Sequence, residues 1–296
     1  MKSKFNVFLL IVFLVLCVTL ELDSKSKAGS IVESRSAVIL AYHRFGEPQF
    51  PSTNIRIEQF KSHILELQKE QYNVLPISEI IQKINNKEKI PKYTIGISID
   101  DAYRSVFEKA WPLLKGAKLP FTLFLSTDAI DRRARGYMNW DEIRELKSNG
   151  VTIGNQTKSH KHLPLISLED AKLEIDKANA RIVSELGFKP ELFAYPYGEY
   201  SLPVRKLIMN RGFKAGFTQS SGALDSNSDI FSLPRFALNE RYGGIDRFRL
   251  ITNALPLPVS DILPMDPLVN DNPPAFGFTV SKAIGSIDRL ACFSSN

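Results

Sequence analysis

The sequence is poor in the residues that build cross-links and soft metal sites. Only two of its 296 residues are cysteine, Cys17 and Cys292, and only four are histidine. Because Cys17 lies within an N-terminal apolar run, cleavage of that run would leave Cys292 without a partner in the chain. An internal disulfide framework and a cysteine-ligated zinc site are therefore excluded. Any metal site has to use histidine and carboxylate side chains.

Charge of one sign is not concentrated in any part of the chain. The formal net charge is +6, and the basic residues are scattered rather than gathered into a stripe with aromatic residues between them. Nucleic-acid-binding surfaces show such a stripe, so we expect no nucleic-acid partner. The hydrophobic fraction of 44% and the charged fraction of 24% are those of an ordinary globular protein.

The N-terminus has the layout of an export signal. Lys2 and Lys4 precede an apolar run at residues 5–20, which is short for a membrane span. The small residues Ser26 and Ala28 suit a cleavage site. We predict that residues 1–28 form a signal peptide or an N-terminal anchor. The protein is then periplasmic or extracellular, or is tethered to the outer side of the inner membrane.

Residues 37–255 alternate between short apolar runs and amphipathic stretches. AVILAYHRF at 37–45 and YTIGISID at 93–100 are typical of buried strands, and IEQFKSHILELQKEQ at 57–71 has the apolar spacing of a helix. About seven such strand-then-helix units predict a parallel sheet bent into a distorted or incomplete (β/α) barrel. Residues 256–296 are rich in proline and aspartate and then alternate, which predicts a small β-rich C-terminal extension.

Several chemically unusual residues follow the predicted strands. Asp100 and Asp101 end one strand, His43 ends another, and GNQTKSHKHL at 154–163 places two histidines after a third. In folds of this type functional side chains gather at the carboxyl ends of the strands. We therefore expect these residues to share one rim. Two aromatic segments should lie on the same rim, FAYPYG at 193–198 and YMNW at 137–140.

The adjacent aspartates have more than one interpretation. Asp101 could simply cap the following helix, with Asp100 as a solvated loop residue. The histidine pair at 160 and 162 favours a metal or acid–base role instead. His63 lies among lysine and glutamate residues of a helical pattern, and we expect it to be exposed.

In order and content these segments resemble the polysaccharide deacetylases of carbohydrate esterase family four, the group that contains the chitooligosaccharide deacetylase of nodulation. GISIDDAYRS at 96–105 resembles the family's Thr-Phe-Asp-Asp-Gly motif, IGNQTKSH at 153–160 its His-Thr-x-x-His motif, and FAYPYG its Arg-x-Pro-Tyr motif. WDEIRELKSNGVTIGN at 140–155 is also typical of the family. The resemblance covers about residues 37–240. It implies a distorted (β/α) barrel that removes N-acetyl groups from polymers or oligomers of N-acetylglucosamine or a related sugar.

The resemblance also implies roles for individual residues. Asp101 and His160 would hold a divalent ion, zinc or alternatively cobalt, nickel or manganese, and Asp100 would be the general base. Gln156 stands in place of the third ligand, a histidine, and an amide is a poorer zinc ligand than imidazole. His43 is our preferred replacement for that ligand. It is also a candidate for the role of the family's late general-acid histidine, which has no counterpart here because no histidine follows residue 162.

The remaining implied positions concern substrate binding and support of the base. Tyr195, Tyr197 and Trp140 are the candidate substrate-binding residues, since their rings suit a sugar. Ala194 stands where many family members have an arginine that orients the base, so we expect that arginine to be absent. His162 is expected at the surface or behind the metal ligands.

The principal hypothesis is therefore an exported, metal-dependent N-deacetylase, a hydrolase of carbon–nitrogen bonds other than peptide bonds, whose partner is an N-acetylated poly- or oligosaccharide. The alternative is a catalytically impaired sugar-binding protein on the same barrel, as Gln156 and Ala194 suggest. The intact Asp100 and Asp101 favour the enzyme, because a binding protein needs no base beside a metal ligand. Hydrolysis of another amide or ester is a third hypothesis.

Overall fold

The computed structural model describes residues 36–269 and 272–281. The predicted signal or anchor at 1–28 and the end of the predicted C-terminal extension lie outside these ranges. Among the described residues the strands are β1 Ala37–Tyr42, β2 Arg44–Phe45, β3 Asn54–Ile55, β4 Asn73–Val74, β5 Thr94–Asp100, β6 Thr122–Leu125, β7 Thr152–Asn155, β8 Leu192–Ala194, β9 Ala215–Phe217, β10 Phe236–Ala237, β11 Val259–Leu263 and β12 Gly277–Val280.

The central sheet is parallel and has the order β10–β1–β5–β6–β7–β8–β9, with β4 paired to the first residues of β5. It curls into a half-barrel with helices around it, which confirms the predicted distorted (β/α) barrel. Because all strands of this sheet run the same way, their carboxyl ends lie along one edge. That edge is the rim on which the candidate residues were expected.

Helices follow most strands, as the alternating pattern predicted. They are α1 Ile57–Leu67, α2 Ile77–Asn85, α3 Trp111–Gly116, α4 Thr127–Asp131, α5 Trp140–Ser148, α6 Leu168–Leu186, α7 Leu202–Asn210 and α8 Ile245–Thr252, with a π-helical turn at Val106–Ala110 before α3. Local sequence sets their ends. The Ser167 side chain accepts the Asp170 backbone N–H at the start of α6, and Gly187 ends that helix in the left-handed conformation at φ 73°.

Strand β1 is buried on both faces, as a central parallel strand should be. Leu40 and Tyr42 belong to the larger apolar cluster on one face, and Ile39 belongs to a second cluster on the other. Gly96 on β5 allows close packing there, because a Cβ at this position would lie 2.6 Å from Ile39 Cδ1. The packing of β1 and β5 fixes the ends of both strands at the rim.

The C-terminal part of the described chain contains the antiparallel pair β11–β12. This pair agrees with the β-rich character predicted for residues 256–296. Within the described ranges no helix is both long enough and apolar enough to cross a membrane.

The expectation that His63 is exposed is wrong, because its side chain is fully buried. The ring stacks on Phe248 with 3.9 Å between centroids and an angle of 6°. Its Nε2–H donates to the Gly243 carbonyl oxygen at 2.9 Å, and the Tyr42 hydroxyl donates to its Nδ1 at 3.0 Å. Burial lowers the pKa of His63 from 6.5 to about 4. The folded protein therefore holds this imidazole in its neutral form.

This burial predicts a loss of stability in mild acid. Between about pH 6.5 and pH 4 the unfolded chain binds a proton at His63 that the folded protein does not, so stability falls as the pH falls. We expect this residue to contribute about 2 kcal/mol less stability at pH 5 than at pH 7. Urea unfolding of the wild type and of His63→Gln at the two pH values measures it, since the variant lacks this part of the slope. The same slope in both proteins would contradict the prediction.

Candidate active site

The carboxyl edge of the sheet brings together most of the polar residues that the sequence singled out. His43 follows β1, Asp100 ends β5 and is followed by Asp101, and Gln156 and His160 follow β7. His43 Nε2 lies 3.8 Å from Asp100 Oδ2, and His160 Nε2 lies 3.3 Å from Asp101 Oδ1. The predicted rim therefore exists as a cluster of contacting side chains.

Asp100 is held by a buried arginine. Arg235 Nη1 donates to Asp100 Oδ1 at 2.7 Å and Nη2 donates to Oδ2 at 2.8 Å, and both side chains are fully buried. The guanidinium also donates through Nε to the Thr218 carbonyl oxygen and through Nη1 to Ser98 Oγ. A bidentate pair of this kind fixes the plane of the carboxylate and compensates both charges.

An arginine from another part of the chain therefore orients Asp100. The sequence position of the family's arginine is indeed occupied by Ala194, which is buried in strand β8. Arg235 instead reaches the carboxylate from the residue before β10, on the other side of β1. No motif around Arg235 indicates this contact, since it depends on how β10 pairs in the sheet.

The helix-cap interpretation of Asp101 is wrong. Asp101 and Ala102 have φ values of 73° and 56°, and the first helical turn begins only after Tyr103. Left-handed conformations are unfavourable for residues other than glycine and persist where the surroundings impose them. Thr157, His160 and Tyr197 share this feature, with φ of 69°, 57° and 60°. The strain thus concentrates on the rim.

Asp101 and His160 form the electrostatic centre of the rim. Burial raises the pKa of the Asp101 carboxyl, but the contact with His160 and the positive charges of His43 and His160 outweigh this and hold the pKa below its usual value. Burial lowers the pKa of His160, but Asp101 and Asp100 outweigh it and hold the pKa above its usual value. Although Asp101 Oδ1 lies near His160, it accepts no well-directed hydrogen bond.

The loop that carries His160 is anchored by buried residues that the motif did not reveal. Glu174 on α6 accepts from Ser159, from its backbone N–H and its hydroxyl, both at 2.7 Å. Asn155 accepts the Thr157 N–H at 2.6 Å. The Ser126 hydroxyl donates to the Gln156 carbonyl oxygen at 2.8 Å. Together these contacts hold a strained loop in one conformation.

A cavity of about 470 Å³ opens above these residues. Its lining includes His43, Asp101, Tyr103, His160, Tyr197 and Gln219. Tyr197 is the predicted aromatic residue that reaches it. This ring is 47% exposed, stacks on His162 with 3.8 Å between centroids, and meets His160 edge-on. His162 also contacts Glu199 at 2.7 Å, and its side chain is 45% exposed, which agrees with the surface position predicted as one of two alternatives.

Two other predicted aromatic positions do not face this cavity. Tyr195 is fully buried and its hydroxyl donates to the Phe231 carbonyl oxygen, so the prediction that it contacts substrate is wrong. Trp140 begins α5, donates through Nε1 to Asp131, and lines a neighbouring cavity of about 430 Å³. Tyr137 lines both cavities and separates Trp140 from the rim.

The rim provides some, but not all, of the ligands that a divalent ion needs. Asp101 Oδ1 is a buried oxygen without a hydrogen-bond partner, and it lies beside the imidazole nitrogen of His160. Gln156 is not oriented as a third ligand, because its Oε1 accepts the Asp101 backbone N–H and its Nε2, which has no lone pair, faces His160. Within the described ranges no three His, Cys, Asp or Glu side chains converge as metal ligands.

The chain is similar in sequence to known deacetylases. The sequence profile of the family described as Polysaccharide deacetylase matches residues 87–216. Poly-beta-1,6-N-acetyl-D-glucosamine N-deacetylase from Staphylococcus aureus is 24% identical over 247 residues, which are 74% of this chain and 84% of that protein. Residues 87–216 therefore match a polysaccharide deacetylase domain. The profile begins before β5 and ends within β9, so it includes Asp100, Asp101 and His160.

Solved structures share the fold of the deacetylase domain. The Streptococcus pyogenes deacetylase PplD superposes with a TM-score of 0.68 at 19% identity, over 75% of this chain and 100% of that one. IcaB from Ammonifex degensii superposes with a TM-score of 0.67 at 22% identity, over 75% and 99%. His43, which follows β1, and Arg235, which precedes β10, lie outside the profile match.

The buried pair in the deacetylase domain predicts a strong dependence of stability on Arg235. Arg235→Met leaves the Asp100 carboxylate buried without its charged partner, which should cost about 3–5 kcal/mol of unfolding free energy. Adding Asp100→Leu should restore most of that loss, because no charge then stays buried unpaired. Urea denaturation of the single and double variants measures both effects.

A surface arginine provides the matched control. Arg205 also binds an aspartate, Asp229, through two nitrogens, but both side chains are partly exposed. Arg205→Met should cost less than about 1 kcal/mol because water can replace the pairing. Equal losses for Arg205→Met and Arg235→Met would contradict the special role of the buried pair.

Proposed function

We propose that this deacetylase domain hydrolyses N-acetyl groups of polymers or oligomers of N-acetylglucosamine. The observation that carries the proposal is the position of Asp100, which is fixed by Arg235 and lies next to His43 and Asp101, two residues that line an open cavity together with His160. The names of the Staphylococcus aureus relatives support an N-acetylglucosamine polymer, with the β-1,6 linkage as the first to test.

In this proposal Asp100 is the general base and His43 the general acid. Asp100 takes a proton from the water that attacks the acetyl carbonyl, while Arg235 keeps the carboxylate in a fixed plane. His43, 3.8 Å from Asp100 Oδ2 and on the cavity wall, donates a proton to the amine nitrogen as the carbon–nitrogen bond breaks. The products are acetate and a free amine on the sugar.

Metal dependence belongs to the same proposal. Asp101 and His160 would hold the ion, with zinc as the first candidate and cobalt, nickel or manganese as alternatives. Such an ion polarises a carbonyl and lowers the pKa of bound water. The unpartnered Asp101 Oδ1 supports this role, since a buried carboxylate oxygen without a donor is otherwise costly.

Tyr197 is proposed as the platform for a sugar ring. Its position depends on Gly198, which has φ 75° and whose Cβ, if present, would collide with the backbone of Gln219. Both Tyr197 and Gln219 line the cavity. A rigid aromatic ring at the edge of an open cavity suits a polymer, which has to enter and leave from the side.

We also propose that the protein acts outside the cytoplasm. The basic and apolar pattern of residues 1–28 supports export, and an N-acetylated polysaccharide outside the cell would be its substrate. Cell fractionation with an antibody against the folded domain tests this proposal.

The first test of the proposed activity removes the general base, Asp100. Asp100→Asn keeps the shape of the side chain but removes the proton acceptor, so acetate release from N-acetylglucosamine oligomers should fall at least about 1,000-fold. A coupled acetate assay with added zinc, cobalt or nickel measures this on β-1,6- and β-1,4-linked oligomers. Acetate release that survives both Asp100→Asn and chelation would refute the mechanism.

A matched control separates the loss of the base from the loss of a carboxylate elsewhere. Asp246→Asn changes an exposed aspartate on α8 and should leave the rate unchanged. Retained sugar affinity without acetate release in the wild type would favour the sugar-binding alternative. In a sugar-binding protein the fixed carboxylate of Asp100 would have no catalytic role.

The proposed sugar platform, Tyr197, predicts an effect on substrate affinity rather than on the chemical step. Tyr197→Ala removes the exposed ring and should raise KM about fivefold, which corresponds to about 1 kcal/mol of stacking. Tyr195→Phe is the control, because its buried hydroxyl contacts only the Phe231 backbone. It should change stability and leave KM as it is. An unchanged KM in Tyr197→Ala would contradict the platform.

A further inference from the structure

We infer that Gln156 is a hydrogen-bonding clamp for the Asp101 turn and not a metal ligand, so that among the described residues the ion is held by Asp101 and His160. The inference rests on the proposed metal-dependent function, but measurements of metal affinity alone are enough to test it. It assigns a positioning role to the residue that stands where the resemblance implies a ligand.

The first observation is that the polar groups of Gln156 are already engaged. The side chain is fully buried, and its Oε1 accepts the Asp101 backbone N–H at 3.1 Å. Its own backbone N–H donates to the Leu125 carbonyl oxygen at 2.9 Å, and its carbonyl oxygen accepts from the Ser126 hydroxyl at 2.8 Å. In this orientation the side-chain oxygen of Gln156 is therefore directed at the Asp101 N–H.

The second observation is the direction of the amide nitrogen. Gln156 Nε2 lies 3.2 Å from His160 Nε2, the nitrogen that also faces Asp101 Oδ1 at 3.3 Å. An ion between Asp101 and His160 would face the NH₂ group of Gln156. An amide NH₂ carries partial positive charge and has no lone pair to donate. Its presence weakens the binding of a cation.

Turning the amide does not solve this problem. It would bring the Oε1 of Gln156 toward the ion, but it would place the NH₂ group against the Asp101 N–H, so that two donors face each other. The Asp101 N–H would keep its other acceptor, the Phe124 carbonyl oxygen at 3.1 Å, but would lose the contact with Gln156 Oε1. Ligation by Gln156 would thus disturb the turn that presents the Asp101 carboxylate.

The test compares metal affinities of the apo protein and its variants. Competition with a chromophoric chelator gives Kd for Zn²⁺, and the absorption of bound Co²⁺ reports the ligand set. Gln156→Ala should change the Zn²⁺ Kd by less than about threefold, whereas Asp101→Asn and His160→Ala should each weaken binding at least about tenfold. Gln156→His, which adds an imidazole in place of the amide, should tighten binding at least about tenfold.

Gln156→Glu provides a second gain-of-ligand variant if the histidine disturbs folding, and thermal unfolding of each apo variant verifies the fold. A loss of Zn²⁺ affinity in Gln156→Ala as large as that in His160→Ala would overturn the inference. Failure of both Gln156→His and Gln156→Glu to tighten binding would also overturn it. No substrate is used, so a protein that binds metal as expected but releases no acetate refutes the proposed function alone.

Discussion

The buried ion pair between Asp100 and Arg235 is the interaction on which the geometry of the rim depends. Both side chains are fully buried, so each charge would be costly without the other. The pair joins the end of β5 to the residue before β10, 135 positions later in the chain. Because β1 lies between these two strands, the contact fixes three neighbouring strand ends at once. The orientation of the proposed base is therefore a property of the whole sheet.

A second constraint acts on the backbone around that pair. Asp101 and His160 both lie in left-handed conformations, which local sequence does not favour. Hydrogen bonds from buried residues compensate: Gln156 holds the Asp101 turn, and Glu174 holds the loop before His160. The strained backbone and the hydrogen bonds that hold it thus lie in the same part of the rim. This is the expected pattern where a rigid arrangement of polar groups has been favoured over local backbone energy.

Much of the fold and most of the rim could be predicted from the sequence, because strand-to-helix alternation is a local signal and strand ends share an edge. Arg235 could not, since its contact depends on a two-residue strand that has no pattern of its own. His63 was obscured by its charged neighbours, although it lies three residues after Phe60 and four before Leu67, on the apolar stripe of α1. Tyr195 was misjudged because a motif does not tell which side of a strand faces the core.

Ala194 and Gln156 are the two departures from the family pattern. They differ in physical kind, and this explains why the first is compensated and the second is not. Any guanidinium that reaches both oxygens of Asp100 can hold it, so Arg235 replaces the arginine missing at Ala194 from a distant part of the chain. Ligation is more demanding, since it needs a lone pair directed at the ion. The only side-chain oxygen of Gln156 already binds the Asp101 N–H. The direction of this oxygen toward the Asp101 turn is therefore the reason for our proposal that Gln156 is not a ligand.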